Sequence, residues 1–149
     1  MPLKHIKNFM QVTPQLATSG QPSKTQLREI AEEGFETVIN LGLSDPKYCL
    51  PDEVETLHSL GLEYHHIPVN FQTPQPENLR QFFSVMDAAK EKKVFVHCAA
   101  NKRVSCFVAL YGEARLGWSR EKANAFIGHI WQPDEVWESL IALARQELP

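Results

Sequence analysis

Short runs of β-branched and aromatic residues alternate along the chain with longer stretches whose apolar residues recur every three or four positions. The short runs are typical of buried strands, and the longer stretches are typical of amphipathic helices. Proline and glycine mark several of the boundaries, as at Gly34, Pro51 and Gly61. The pattern predicts strands at about 9–12, 15–18, 37–41, 63–69 and 94–96, and helices at about 23–34, 51–61, 77–90, 104–116, 119–131 and 133–148.

Strands that alternate with helices predict βαβ units and a mainly parallel sheet covered on both faces. The last 46 residues are predicted to be almost entirely helical, since three helical stretches follow one another from Val104 onward. We therefore expect a single α/β domain over residues 1–149, with a central sheet flanked by helices and a helical carboxyl-terminal part. The length of 149 residues suits one domain with a full hydrophobic core.

The composition is that of an ordinary globular protein, with 43% hydrophobic and 22% charged residues. A formal charge of −3 gives no reason to expect nucleic acid or an acidic membrane as a partner. No apolar run approaches the length of a membrane span, and the amino terminus lacks the apolar core of a signal peptide. We therefore expect a cytoplasmic protein. Its three cysteines are too few for a disulfide framework and suggest a free thiol.

The stretch from Lys93 to Ser105 carries the strongest chemical signal. Its apolar residues predict a central strand that ends at Cys98, and a helical pattern begins at Val104. A cysteine between a strand and a helix amino terminus lies where backbone N–H groups and the helix dipole favour anions and thiolates. Arg103 adds a guanidinium suited to phosphate or sulfate oxygens. The stretch therefore predicts a nucleophilic sulfur in an anion cradle.

This stretch resembles the signature of cysteine-dependent tyrosine and dual-specificity phosphatases, in which His-Cys is followed by a short loop, arginine, and serine or threonine. The resemblance extends to most of the chain and is closest to a bacterial phosphatase-like branch, the one related to the phosphatase-like domain of β-lactamase-hydrolase-like proteins. Its marks are the segments Thr18-Ser19-Gly20-Gln21-Pro22, Val38-Ile39-Asn40-Leu41, His66-Ile67-Pro68-Val69, His97 through Ser105, and Trp131-Gln132-Pro133 with Trp137.

The resemblance implies a phosphatase fold and a two-step phosphoryl transfer. Cys98 would take the phosphoryl group as a phosphocysteine, and His97 would position the loop and support a lowered thiol pKa. Ser105 would hydrogen-bond the Cys98 sulfur and ease its departure. The phosphoryl oxygens would be held by Arg103 and by the backbone N–H groups of Ala99, Ala100, Asn101, Lys102, Arg103 and Val104. The substrate would be a phosphorylated protein or a small-molecule phosphoester.

The spacing within the signature departs from the wider family. Only four residues separate Cys98 from Arg103, and Val104 stands where the wider family has its arginine. The bacterial branch shares this shorter spacing, so we interpret it as a variant cradle. A cysteine loop of this length also occurs in rhodanese-type sulfurtransferases, which would carry a persulfide on Cys98. Sulfur transfer is therefore an alternative function.

The second departure concerns the general acid, which is an aspartate on a separate loop in the family. Asn70 stands at the expected position, and an amide cannot give a proton to a leaving group. Loss of a general acid typically costs about 10²- to 10⁴-fold in rate. Glu77 and Asp45 are the alternative acid candidates. A slow enzyme, or a phosphate-binding module without turnover, is therefore a further alternative.

The sequence predicts no cofactor and no metal. It contains no glycine-rich nucleotide motif, and His58, His65 and His66 lack the spacing of metal ligands. Cys49 has two interpretations: a packed loop residue, or the partner of Cys98 in a protective disulfide like those of some phosphatases.

Overall fold

The chain folds into a five-stranded sheet with helices on both faces, as the alternating pattern predicts. The computed structural model describes residues 2–44 and 49–147. The strands are Met10–Thr13 (β1), Leu16–Ser19 (β2), Thr37–Asn40 (β3), Glu63–His66 (β4) and Val94–His97 (β5). The helices are Lys24–Glu32 (α1), Glu53–Ser59 (α2), Pro76–Ala88 (α3), Lys102–Arg115 (α4), Arg120–Ile130 (α5) and Glu135–Glu147 (α6), with a short 3₁₀ turn at Pro2–His5.

The strand order places β5 in the middle of the sheet. The order is β1-β2-β5-β3-β4, and β1 is the antiparallel edge strand while the other four run parallel. Ligand sites in such sheets lie beyond the carboxyl ends of the strands. The residue that follows β5 therefore lies at the centre of that edge. The prediction of an α/β domain with a mainly parallel sheet is confirmed.

Alternation along the strands divides the core into two layers. Val94 and Val96 of β5 pack against the layer that includes α3, α4 and α6, whereas Phe95 packs against the layer with α1 and α2. Because helices cover both faces of the sheet, the side chains on both faces of a central strand are buried. Such strands therefore have nearly continuous apolar sequences. Trp137, on α6, is fully buried.

Local signals account for several helix boundaries. Ser23 caps α1 in a capping box with Gln26, and Ser119 caps α5 by accepting a hydrogen bond from the Lys122 N–H. Gly34, with a φ of +91°, follows the end of α1 in the left-handed conformation that glycine adopts without cost.

Other predicted boundaries shift by two or three residues. Helix α2 begins at Glu53 rather than Pro51, and α4 begins at Lys102 rather than Val104. Strand β4 ends at His66 rather than Val69. The amide of Ile67 still bonds to the Asn40 carbonyl, and that of Val69 bonds to the Leu41 carbonyl, so hydrogen bonds to the segment after β3 continue past the strand end with a shift in register. None of the helices in the described ranges is both long and apolar enough to cross a bilayer.

Candidate active site

A pocket of about 530 Å³ lies at the carboxyl edge of the parallel strands, and Cys98 lies at its base. Cys98 directly follows β5 and is only 1% exposed. The pocket is lined by the loops after four parallel strands. The lining residues are Gln21, Gly42, Leu43, Asn70, Phe71, Gln72, Cys98, Ala99, Ala100, Lys102 and Arg103.

The loop after Cys98 is held from outside by the amino-terminal part of the chain. The Ala99 carbonyl accepts a hydrogen bond from the Gln21 N–H at 3.1 Å, and the Ala100 carbonyl accepts one from Asn8 Nδ2 at 2.9 Å. Gly20 passes so close that a Cβ there would lie 2.7 Å from the Ala99 oxygen. Carbonyls that are bonded outside the loop are not free to turn towards a bound anion, which they would repel.

Asn101 makes the turn from this loop into α4. It adopts the left-handed conformation, with a φ of +67°, which asparagine tolerates better than most residues. Its side chain is fully buried, and its Nδ2 donates to the Asn8 carbonyl at 2.8 Å and to Thr18 Oγ1 at 3.0 Å. Asn8 and Asn101 therefore tie the loop and the amino-terminal segment together from both sides.

Arg103 is positioned by the loop that follows β4. Its guanidinium is largely buried, its Nη1 donates to the Val69 carbonyl at 2.8 Å, and it lies 5.9 Å from the centre of the Phe71 ring. Arginine carries five N–H donors in a fixed fork. One of these N–H groups is hydrogen-bonded to the Val69 carbonyl, so the others are available to donate to an anion in the pocket.

Ser105 differs from the expectation that it hydrogen-bonds the Cys98 sulfur. Its hydroxyl donates to the Lys102 carbonyl at 2.7 Å and accepts from Trp131 Nε1 at 3.1 Å, and no bond to Cys98 occurs among the described residues. The first turn of a helix brings a serine hydroxyl within reach of the carbonyl three residues earlier, and this local bond takes the only proton.

His97 forms a buried pair with Glu53, a residue that the sequence did not single out. His97 Nε2 lies 2.7 Å from Glu53 Oε2, and the two side chains are 0% and 3% exposed. Gln21, which lines the pocket, donates from Nε2 to Glu53 Oε1 at 2.8 Å. The other ring nitrogen of His97, Nδ1, has no partner among the described residues.

The electrostatics of this pair favour an ionised glutamate. Burial opposes ionisation of Glu53, but the charge of His97 and hydrogen bonds from His97 and Gln21 outweigh it and hold the pKa of the carboxyl below its ordinary value. An ionised carboxylate only accepts hydrogen bonds, so His97 carries its proton on Nε2. The side chain next to the candidate nucleophile is thereby fixed in orientation.

The three candidates for a general acid have different positions. Asn70 lines the pocket, and its Oδ1 accepts the N–H groups of Gln72 and Thr73 at 2.9 and 3.2 Å, which closes a turn in its own loop. Glu77 lies outside the pocket lining at the start of α3, where its exposed carboxylate pairs with Arg80. Asp45 lies outside the described residues.

All three cysteines are free thiols, and Cys49 is half-buried. Cys106 lies inside α4, where burial raises the pKa of its thiol to about 12. The disulfide between Cys49 and Cys98 is therefore not formed in this structure. Of the loop residues predicted to hold phosphate, Asn101 and Val104 are not part of the pocket lining.

The sequence could not reveal Glu53 or Asn8 as site residues. Glu53 reads as an ordinary acidic residue in the first turn of a helix, and it meets His97 only because α2 packs against the edge of the sheet. Gln21 had one signal, since it belongs to a segment that carries the family resemblance.

Comparisons with known proteins agree with this geometry. A family model described as "DSP-PTPase phosphatase fused to NAD+ Kinase" matches residues 6–127. A putative phosphatase (DUF442) from Shewanella putrefaciens is 33% identical, with a TM-score of 0.89 over 98% of this chain and 96% of its own. No curated protein matches this chain significantly.

More distant structures share the fold. Tk-PTP in its active form is 20% identical, with a TM-score of 0.81 over 94% of this chain and 97% of its own. TpbA of Pseudomonas aeruginosa, solved in complex with phosphotyrosine, is 18% identical, with a TM-score of 0.71 over 93% and 83%. The family model covers most of the chain, and the chain therefore belongs to the family of cysteine-based DSP-PTPase phosphatases.

Proposed function

We propose that this protein hydrolyses phosphomonoesters through a phosphocysteine on Cys98. The observation that carries the proposal is the position of Cys98 at the base of a pocket whose wall includes the Arg103 guanidinium. The carbonyls of Ala99 and Ala100 support the proposal, because both accept hydrogen bonds from outside the loop. The N–H groups of the loop are therefore the backbone groups available to a bound anion.

The reaction has two displacements at phosphorus. The Cys98 thiolate attacks the phosphorus atom, an S–P bond forms, and the P–O bond to the ester oxygen breaks, so that an alkoxide or phenolate leaves and takes a proton from solvent. Water then attacks the same phosphorus, the S–P bond breaks, and inorganic phosphate leaves with the thiolate restored. Arg103 neutralises charge on the phosphoryl oxygens in both steps.

Three residues act on this chemistry from outside the pocket base. His97 lies directly before the nucleophile and is held by Glu53, so its ring keeps a fixed position next to the loop. Gln21 connects Glu53 to the pocket wall. We assign positioning roles to all three, because none of the three has a proton donor aimed at a leaving group.

Aryl phosphates are the esters that should react fastest at this site. Asn70 cannot protonate a leaving group, and phenolates leave without strong acid assistance. TpbA holds phosphotyrosine in its structure, which is a precedent for an aryl phosphate in this fold. We therefore expect hydrolysis of p-nitrophenyl phosphate and much slower hydrolysis of alkyl phosphates.

The test compares p-nitrophenyl phosphate hydrolysis by the wild type with that by Cys98→Ser and Cys106→Ala. Cys98→Ser should lose activity, while Cys106→Ala should keep it, since Cys106 does not line the pocket. Unchanged turnover in Cys98→Ser would refute the mechanism. A thiosulfate-to-cyanide assay on the same proteins distinguishes sulfur transfer.

A phosphate-binding module with little turnover is the second candidate, and the position of Asn70 favours it. If the missing acid limits the rate, Asn70→Asp should raise hydrolysis of alkyl phosphates by about 10-fold or more. Binding of phosphate without hydrolysis of any ester, in both the wild type and Asn70→Asp, would favour the binding module instead.

A further inference from the structure

Lys102 is a second cation in the wall of the pocket. It occupies the first turn of α4 directly before Arg103, and its side chain is exposed. Its Nζ lies 5.5 Å from the centre of the Trp131 ring and 6.0 Å from that of Phe71. Cation–π contacts at these distances hold the ammonium group on the side of the pocket formed by the loop after β4.

The two aromatic rings have a fixed position themselves. Phe71 and Trp131 are packed with their centroids 5.4 Å apart, and Trp131 Nε1 donates to Ser105. The Phe71 carbonyl accepts a hydrogen bond from Trp137 Nε1 at 2.8 Å. Lys102 is therefore supported by a rigid surface rather than by a mobile loop side chain.

Within residues 2–44 and 49–147, Lys102 forms no ion pair. No acidic residue in these ranges lines the pocket. A cation at a helix amino terminus is also opposed by the helix dipole. Two adjacent cations in this position become favourable when anions bind.

Arg103 and Lys102 are placed to contact different groups. Arg103 is largely buried, is hydrogen-bonded to the Val69 carbonyl, and lines the pocket together with Cys98. Lys102 is exposed and lies on the outer wall over the aromatic pair. A pocket of about 530 Å³ holds far more than one phosphoryl group.

We propose that Lys102, supported by Phe71 and Trp131, is a subsite for a second anionic group on the substrate. The substrate class is a small phosphomonoester that carries another phosphate, or a carboxylate, next to the phosphate to be transferred. Gln72 lines the same pocket and supplies an amide group suited to a hydroxyl of the substrate. This inference rests on the proposed phosphatase function and adds the substrate class to it.

The test measures binding, so that it does not depend on turnover. Calorimetry with the Cys98→Ser protein compares glycerol 3-phosphate, 3-phosphoglycerate and 2,3-bisphosphoglycerate, which add first a carboxylate and then a second phosphate to one carbon skeleton. We expect 2,3-bisphosphoglycerate to bind about two- to fivefold more tightly than glycerol 3-phosphate at low salt, as one partly exposed ion pair allows. The preference should shrink as salt increases.

Substitution of Lys102 tests whether this residue causes the preference for 2,3-bisphosphoglycerate. Lys102→Gln should remove most of it, and Lys102→Arg should restore most of it. The matched control is Lys122→Gln, since Lys122 also lies in the first turn of a helix with its Nζ over a tryptophan, 4.9 Å from the Trp118 ring, but is outside the pocket lining. This control should keep the full preference.

Three outcomes would overturn the subsite. They are equal binding of all three compounds by the protein with Lys102 intact, a Lys102→Gln variant that keeps the preference, and a Lys102→Gln variant that loses the same factor on every compound. The last result would mean that Lys102 serves only the transferred phosphate. Failure of the phosphatase function would instead appear as no Cys98-dependent hydrolysis of p-nitrophenyl phosphate, with the binding preference intact.

Discussion

Removal of the Glu53 carboxylate should destabilise the protein more than any other acidic substitution in α2. In Glu53→Ala, His97 loses its partner at 2.7 Å and Gln21 loses its acceptor at 2.8 Å. His97 Nδ1 already has no partner among the described residues. The substitution therefore leaves a fully buried imidazole with neither ring nitrogen hydrogen-bonded.

The burial of both side chains sets the magnitude. A buried polar group left without its hydrogen-bond partner typically costs about 1–3 kcal/mol, and the substitution removes the acceptor of two donors, on His97 and on Gln21. We expect about 3 kcal/mol for Glu53→Ala, towards the lower end for two such groups, because the cavity next to Gln21 and the pocket can admit water. Glu53→Gln keeps one acceptor oxygen but turns an N–H group towards a donor, and should cost about half as much. A domain stability of about 5–15 kcal/mol leaves both variants folded.

Urea denaturation followed by tryptophan fluorescence at pH 7 measures these changes. The matched control is Glu55→Ala, an exposed glutamate in the first turn of the same helix, which should change the free energy of unfolding by less than about 0.5 kcal/mol. A loss in Glu53→Ala no larger than that in Glu55→Ala would refute the buried pair.

The pKa of Glu53 adds a pH signature. The folded pKa lies below the ordinary value of 4.5, so the folded state binds fewer protons than the unfolded state in this range. The stabilisation from Glu53 is therefore fully present above pH 4.5 and is lost as the pH falls through the folded pKa. The difference in unfolding free energy between wild type and Glu53→Gln should shrink below pH 4.5, and a constant difference would contradict the assignment.

Three further predictions concern the loop and the remaining thiol. Gly20→Ala should lower the free energy of unfolding by about 1–3 kcal/mol, measured by thermal unfolding, and should reduce p-nitrophenyl phosphate hydrolysis, because the new Cβ would lie 2.7 Å from the Ala99 carbonyl oxygen. The control is Gly128→Ala in α5, where a Cβ meets open space, and it should be neutral or stabilising. Asn8→Asp keeps a residue type that tolerates the φ of +53° but replaces the N–H donor to the Ala100 carbonyl with an acceptor. The free energy of unfolding should fall by about 1 kcal/mol, and vanadate should inhibit the variant less strongly. Unaltered inhibition would show that the loop does not need this bond. Cys106 should not react with iodoacetamide in the folded protein at pH 8, since burial raises the pKa of its thiol to about 12. Mass spectrometry of peptides after labelling measures this, and a carbamidomethylated Cys106 would contradict the prediction.

The sequence by itself determined the elements of the fold and the centre of the site. Apolar periodicity, proline and glycine specify strands and helices because these signals act within a few residues of the chain. The same is true of Cys98 and Arg103, which one strand, one loop and one helix bring together. The α/β class and the pocket at the carboxyl ends of the parallel strands follow from chain order.

Only the tertiary structure decided what surrounds that centre. Glu53 and His97 are 44 positions apart, and Asn8 and Ala100 are 92 apart, so their contacts depend on how α2 and the amino-terminal segment pack. The Ser105 hydroxyl donates its hydrogen bond to the Lys102 carbonyl rather than to the Cys98 sulfur. The spacing of these residues along the sequence does not decide between the two acceptors. The sequence assigned Lys102 only a backbone N–H role, and its side chain acquires one only when Phe71 and Trp131 are placed beside it. Side-chain partners across the fold are set by packing, and packing is not encoded in any local pattern.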